Sequence, residues 1–208
     1  MRATGAGIAM LALAWCWPFT VHSFSGHMIS HMTTVAIAAP LMAVGISGSR
    51  LDPVMRFPRW FSPLPMSMVE FFVVWLWHMP RMHHAAMMNP GVFMAEQASF
   101  LASGLALWVS IFGGREDERQ ARFGKGLAAL LLTLMHMTLL GAVLVLSPRP
   151  LYVMTTLSDQ QWGGSMMLIS GSVAYCAGGL WLASALLLNG KQMRPLRPQP
   201  DPDLHYRR

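Results

Sequence analysis

The sequence predicts an all-α fold, a polytopic transmembrane helix bundle of five spans plus an N-terminal signal-like or sixth span. Of its 208 residues, 54% are hydrophobic and only 12% charged, about half the charge of an ordinary soluble domain. The charges gather in short islands between continuous apolar runs, which is the layout of a multi-span membrane protein. The runs do not alternate polar with apolar residues, which argues against a barrel of strands. These features exclude a soluble enzyme, a disulfide-built secreted domain and a disordered chain. The net charge of +6 is one that nucleic-acid binders share. Cytoplasmic Lys and Arg of a membrane protein account for it better, so no nucleic-acid partner is expected.

The elements follow in chain order. Residues 1–22 form a signal-like segment or a short transmembrane helix. Their apolar stretch, Gly5 to Thr20, is short, with Arg2 ahead of it and small residues near His22 and Ser23. Residues 23–190 form the transmembrane helix-bundle domain. Its spans, each about 20 residues, run approximately from His27 to Ser47, Met66 to Met87, Gly91 to Phe112, Gly124 to Ser147 and Trp162 to Leu188. Pro40 and Pro80 are expected to kink their helices. Glu70, near the cytoplasmic end of its span, is expected to snorkel. The segment REDERQARFGK, from Arg115 to Lys125, reads as a solvated loop. At the start of the last span Asp159, with Gln160 and Gln161, can cap the helix, and Gly163 with Gly164 permits close approach of a neighbouring backbone. Residues 191–208, rich in proline, read as a disordered cytoplasmic tail.

Charge sets the orientation. Thirteen of the fifteen Lys and Arg fall in Arg2, two inter-span loops and the tail, leaving Arg81 and Arg149 on the other side. The positive-inside rule places the C-terminus in the cytoplasm of a multi-pass protein embedded in the lipid bilayer. Cys16 and Cys176 stand singly in apolar stretches with no CxxC, so cysteine chemistry is not expected.

On this topology seven of the eight histidines fall in the outer half or at the outer face: His22, His27, His31, His78, His83, His84 and His136. Only His205 is cytoplasmic. Intramembrane histidine is costly to bury and usually functional. Beside it stand 19 methionines, about four times ordinary usage. In FSGHMISHM, His27 and His31 share a helix face one turn apart and can hold one metal ion, with Met28 and Met32 on the adjacent stripe. In WLWHMPRMHHAAMM the i, i+4 spacing pairs His78 with Met82, Met79 with His83 and His84 with Met88. His136 lies in MHM near the bilayer middle. Imidazole suits Cu, Zn and Fe, and thioether selects Cu(I), so mixed His/Met ligands at an outer face favour copper.

Blander readings compete. Methionine also fills irregular gaps between helices, and His78 and His136 can each hydrogen-bond across helices. His83 and His84, beside Arg81, are either ligands or solvated interfacial groups. Glu96 is a ligand or a partner that fixes an imidazole tautomer. A second cofactor reading pairs His31 or His27 with His78 or His136 as axial ligands of a haem, making a membrane electron carrier. A zinc enzyme using His27, His31 and Glu96 lacks a spacing such as HExxH, and no enzymatic activity is expected.

FSGHMISHMTTVAIAAPLMAVG, WLWHMPRMHHAAM, LLGAVLVLSPRPLY and DQQWGGSMM, in that order, resemble the conserved blocks of the CtaG-type cytochrome c oxidase assembly factors of bacterial inner membranes. The likeness runs from Phe24 to about Leu188, and DQQWGG with the paired His-Met block is its most specific part. The resemblance implies a polytopic protein needed to produce active haem–copper oxidase, handling copper, with oxidase subunits as partners. It carries over to His27, His31 and His78, and to Asp159 and Gly163 as structural positions. The chain departs from the pattern in being short, and in placing Phe93 and Gln97 where the family has histidines in the fourth span, with Glu96 retained.

Overall fold

The computed structural model describes residues 2–16 and 23–192. His22, His205 and residues 193–208 of the tail lie outside the described residues. Every regular element is a helix, with no strand among the described residues. They are α1 (Arg2–Cys16), α2 (Phe24–Ile46), α3 (Pro53–Arg56), α4 (Pro63–Trp77), α5 (Pro80–Met88), α6 (Pro90–Phe112), α7 (Arg119–Leu146) and α8 (Leu157–Gln192). Four are long and apolar enough to cross a bilayer: α2, α6, α7 and α8, the last over Leu157–Leu188. The chain is a helical membrane protein.

The expected span from Met66 to Met87 is not one helix. Pro80 has no N–H and forces the residue before it out of the helical region. Met79 accordingly has ψ 134°, and the chain stops at Trp77 and restarts at Pro80. What remains, α4, has 15 residues, about 22 Å of helix. Pro40 acts differently. At Pro40 α2 runs on without a break and widens into a π-helical stretch over Thr33–Ala38, where the Ala39 N–H reaches back five residues to the Thr34 carbonyl. The wider turn accommodates a proline that an α-turn would not.

The two long helices that bring His27 and Glu96 to the bundle end are capped locally. Ser23 caps α2 by accepting from Gly26 N at 3.0 Å. Asn89 caps α6 by accepting from Gly91 N at 2.8 Å and Val92 N at 3.3 Å, with Pro90 at the first helical position.

Three polar clasps join the helices. At one end Asp52 is buried, and it accepts from Gly48 N, Val54 N and Gly114 N at 2.9–3.0 Å, tying the end of α2 to the end of α6. Gly114 has φ +85°, and a Cβ there would lie 2.7 Å from the Arg122 guanidinium, so only glycine fits.

At the opposite end the DQQWGG segment does not cap its own helix as expected, since Thr156 Oγ1 takes that place by accepting from Asp159 N at 3.1 Å; its side chains turn to neighbouring elements. Asp159 accepts from Phe24 N at 2.7 Å, Ser25 N at 3.2 Å and Ser25 Oγ at 2.5 Å, so it caps α2. Gln160 accepts from Leu151 N at 2.7 Å and donates to the Leu144 carbonyl at 2.9 Å, while Gln161 donates to the Val145 carbonyl at 3.1 Å. These satisfy the free carbonyls at the end of α7. Gly163 faces Phe24 and Met28 of α2, and Gly164 faces Gly141, Leu144 and Val145 of α7, the close approach that small residues allow.

The third clasp lies inside the bundle. Glu70 does not snorkel. It is fully buried, accepting from Tyr175 OH at 3.1 Å and Thr133 Oγ1 at 3.4 Å. It thereby links α4, α7 and α8. The N-terminal helix α1 packs antiparallel on α2, with Gly7 against Met42 and Ala38, Gly45 against Thr4, and Trp15 donating to Thr34 Oγ1 at 3.2 Å.

Candidate metal centre

The start of α2, the end of α4, α5 and the start of α6 meet at the end of the bundle that carries the Asp159 clasp. They bring together His27, His31 and Met28 from α2, His78 from the end of α4, His83 from α5, and Glu96 and Gln97 from α6. All seven side chains are buried.

Two groupings are evident. In the first, ligand atoms of His27, His83 and Glu96 lie within 4.8 Å of one another. His27 Nε2 is 3.4 Å from Glu96 Oε1, and the His27 and His83 rings meet edge to face at 5.1 Å. In the second, His78 Nε2 is 3.5 Å from Met28 Sδ, and the His31 and His78 ring centroids are 5.4 Å apart. His78 Nδ1 is 2.7 Å from the Val74 carbonyl. A carbonyl only accepts, so Nδ1 carries the proton and donates it, which leaves Nε2 free to coordinate.

The polar atoms here are poorly satisfied. Among the described residues, both ring nitrogens of His31, Nδ1 of His27, both Glu96 oxygens and the Gln97 amide nitrogen are buried without a hydrogen-bond partner. Buried polar groups are ordinarily paired, and an isolated carboxylate in a membrane span is costly. One ion held by these atoms would satisfy several of them at once. The donor set of imidazole, thioether and carboxylate suits a transition-metal ion.

The candidates named from sequence divide. His27, His31, His78, Met28 and Glu96 converge as expected. His136 is buried between α7 and α4, its ring 5.3 Å from that of Phe71, and belongs to neither grouping. Met32 points to α8, with Cε 3.5 Å from where a Cβ on Gly171 would stand. Met82 is half-buried and packs against the apolar core. His84 is exposed, whereas His83 beside it is buried. Phe93 and Gln97 both lie near the site, Phe93 with its ring 6.3 Å from that of His27, and Gln97 with Oε1 3.5 Å from Ser30 Oγ.

Tyr152, from the α7–α8 connection, closes the site from above. Its ring stacks on Phe24 at 4.7 Å and meets His83 at 4.7 Å, and its hydroxyl donates to the His78 carbonyl at 2.9 Å. Burial raises the pKa of this hydroxyl above its ordinary value, so it acts as a donor. The sequence signal for Tyr152 was the LSPRPLY block; the signal for His83 was its four-residue spacing from Met79, and the adjacent Arg81 obscured it.

A family model for the cytochrome c oxidase caa3 assembly factor matches residues 4–187. The chain belongs to that family. No curated protein and no solved structure matches it. The match to the assembly-factor family takes in α1 through α7 and most of α8, and with them every residue of the buried cluster. The expectation of a membrane-embedded oxidase assembly factor therefore stands.

Proposed function

We propose that this assembly factor binds copper, as Cu(I), at the outer end of its bundle and holds or delivers it to a haem–copper oxidase subunit. The reading places the protein in the bacterial inner membrane with the buried histidines on the periplasmic side and the C-terminus in the cytoplasm. The supporting observation is the buried meeting of His78 Nε2 with Met28 Sδ at 3.5 Å beside the His31 ring, whose two nitrogens have no hydrogen-bond partner. Soft thioether with imidazole selects Cu(I) and releases it more readily than thiolate would. The role is carriage and requires no catalytic step of its own. The close edge-to-face contact of His31 with His78 favours a compact ion over a porphyrin between them.

Oxidase activity in copper-limited cells tests this. His31→Ala and His78→Ala should each lower oxidase activity while the protein stays inserted, and added copper should restore part of it by mass action. Met10→Leu and Met42→Leu, away from the cluster, should change little. Full activity in both histidine variants would refute delivery through this site.

A further inference from the structure

We infer that the buried cluster is two metal sites of different chemistry: a divalent-ion site at His27, His83 and Glu96, and a Cu(I) site at Met28, His31 and His78. The inference rests on the copper reading above and divides its site.

Geometry separates the two. Glu96 belongs to the first grouping, and its closest ligand atom is His27 Nε2 at 3.4 Å. That is long for a charge-assisted hydrogen bond, which forms at about 2.7–2.9 Å. It is what two ligands subtend at a shared ion: with metal–nitrogen and metal–oxygen bonds of about 2.0–2.2 Å, the angle at the metal comes to about 110°, near tetrahedral. His83 completes three protein ligands within 4.8 Å of one another, so a small inward rotation of its side chain closes the set. This leaves a fourth position open. The set is two nitrogens and an anionic oxygen, with no sulfur.

The second grouping has the same bite and softer atoms. His78 Nε2 and Met28 Sδ are 3.5 Å apart. With bonds of about 2.0 and 2.3 Å this again gives an angle of about 110°. His31, whose two nitrogens have no partner, supplies the third ligand. This set is neutral and contains a thioether, a combination that favours Cu(I) over divalent ions.

Charge supports the division. The Glu96 carboxylate is fully buried with neither oxygen hydrogen-bonded. A divalent cation offsets that charge better than a monovalent one, whereas a neutral His/Met set carries a single positive charge at least cost. His27 and His31 are consecutive on one face of α2. The two ions would therefore stand about one helical turn, roughly 6 Å, apart along that helix, close enough for ligands to be shared during transfer.

The test is paired metal titration of the purified full-length protein in detergent, with Zn²⁺ as the redox-silent divalent probe and Cu(I) held reduced by ascorbate. The inference expects one equivalent of each to bind together. Glu96→Gln and His83→Ala should each weaken Zn²⁺ by about tenfold or more and leave Cu(I) affinity within about threefold. Met28→Leu should do the reverse. Retained binding of the other ion shows that each variant is folded. The inference is overturned, with copper binding intact, if Zn²⁺ displaces Cu(I) one for one, or if Glu96→Gln and Met28→Leu weaken both ions alike. Binding of neither ion overturns the copper reading as well.

Discussion

His27 Nε2 and Glu96 Oε1 stand 3.4 Å apart, both side chains shielded from solvent. They come from helices whose starts are set by different caps, Ser23 and Asn89, and neither is held in place by a hydrogen bond between them. Their position follows from helix packing, so the site depends on the clasps that join α2, α6, α7 and α8.

Asp159 is the first of these. It makes three hydrogen bonds to the start of α2, where a carboxylate is also favoured by the helix dipole. Asp159→Ala should cost about 2 kcal/mol and weaken metal binding indirectly, by freeing the turn that carries His27. Thermal unfolding in detergent checks this; an unchanged midpoint would contradict it.

Two of the glycines on α8, Gly163 and Gly171, should behave oppositely. A Cβ on Gly163 would stand 2.6 Å from Phe24 Cδ1, whereas one on Gly171 would meet nothing closer than Met32 Cε at 3.5 Å. Gly163→Ala should destabilise by about 1–3 kcal/mol through overpacking. Gly171→Ala should be neutral or stabilising by up to about 1 kcal/mol, since alanine has less conformational freedom than glycine to lose on folding. Unfolding midpoints of the two variants, measured side by side, decide the point.

Tyr152→Phe removes the hydroxyl that donates to the His78 carbonyl and keeps the ring that stacks on Phe24. A loss of about 1 kcal/mol in stability is expected. Tyr152→Ala also removes the stacking and should cost about 3–5 kcal/mol, as large aromatic truncations do.

Orientation is testable independently. With thirteen of fifteen bases assigned to one side, a reporter fused after Arg208 should be active only in the cytoplasm. Periplasmic activity would invert the arrangement and put the buried histidines on the inner side.

Much of this was readable from the chain, because helix periodicity is local. The i, i+4 spacing of His27 and His31 put them on one face of α2, and the shared depth of His78 brought it to the same point. What was not readable depended on tertiary direction. His84 and His83 are sequence neighbours with the same composition around them, yet only His83 turns inward, because Pro80 starts a separate helix whose rotation the spacing does not specify. Glu70 looked like an interfacial acid, but its partners Thr133 and Tyr175 lie 63 and 105 residues away. Asp159 was recognisable as a cap, though the helix it caps begins 135 residues earlier.

The account rests on copper bound by the buried histidines, and the most direct measurement is the metal content and absorption spectrum of protein purified from copper-replete membranes. The account predicts copper in the wild-type protein, no Soret band, and copper lowered by about tenfold or more in a His31→Ala, His78→Ala double variant. A Soret band that disappears in that variant would establish haem carriage instead, and copper retained at the wild-type level would show that these residues do not hold it.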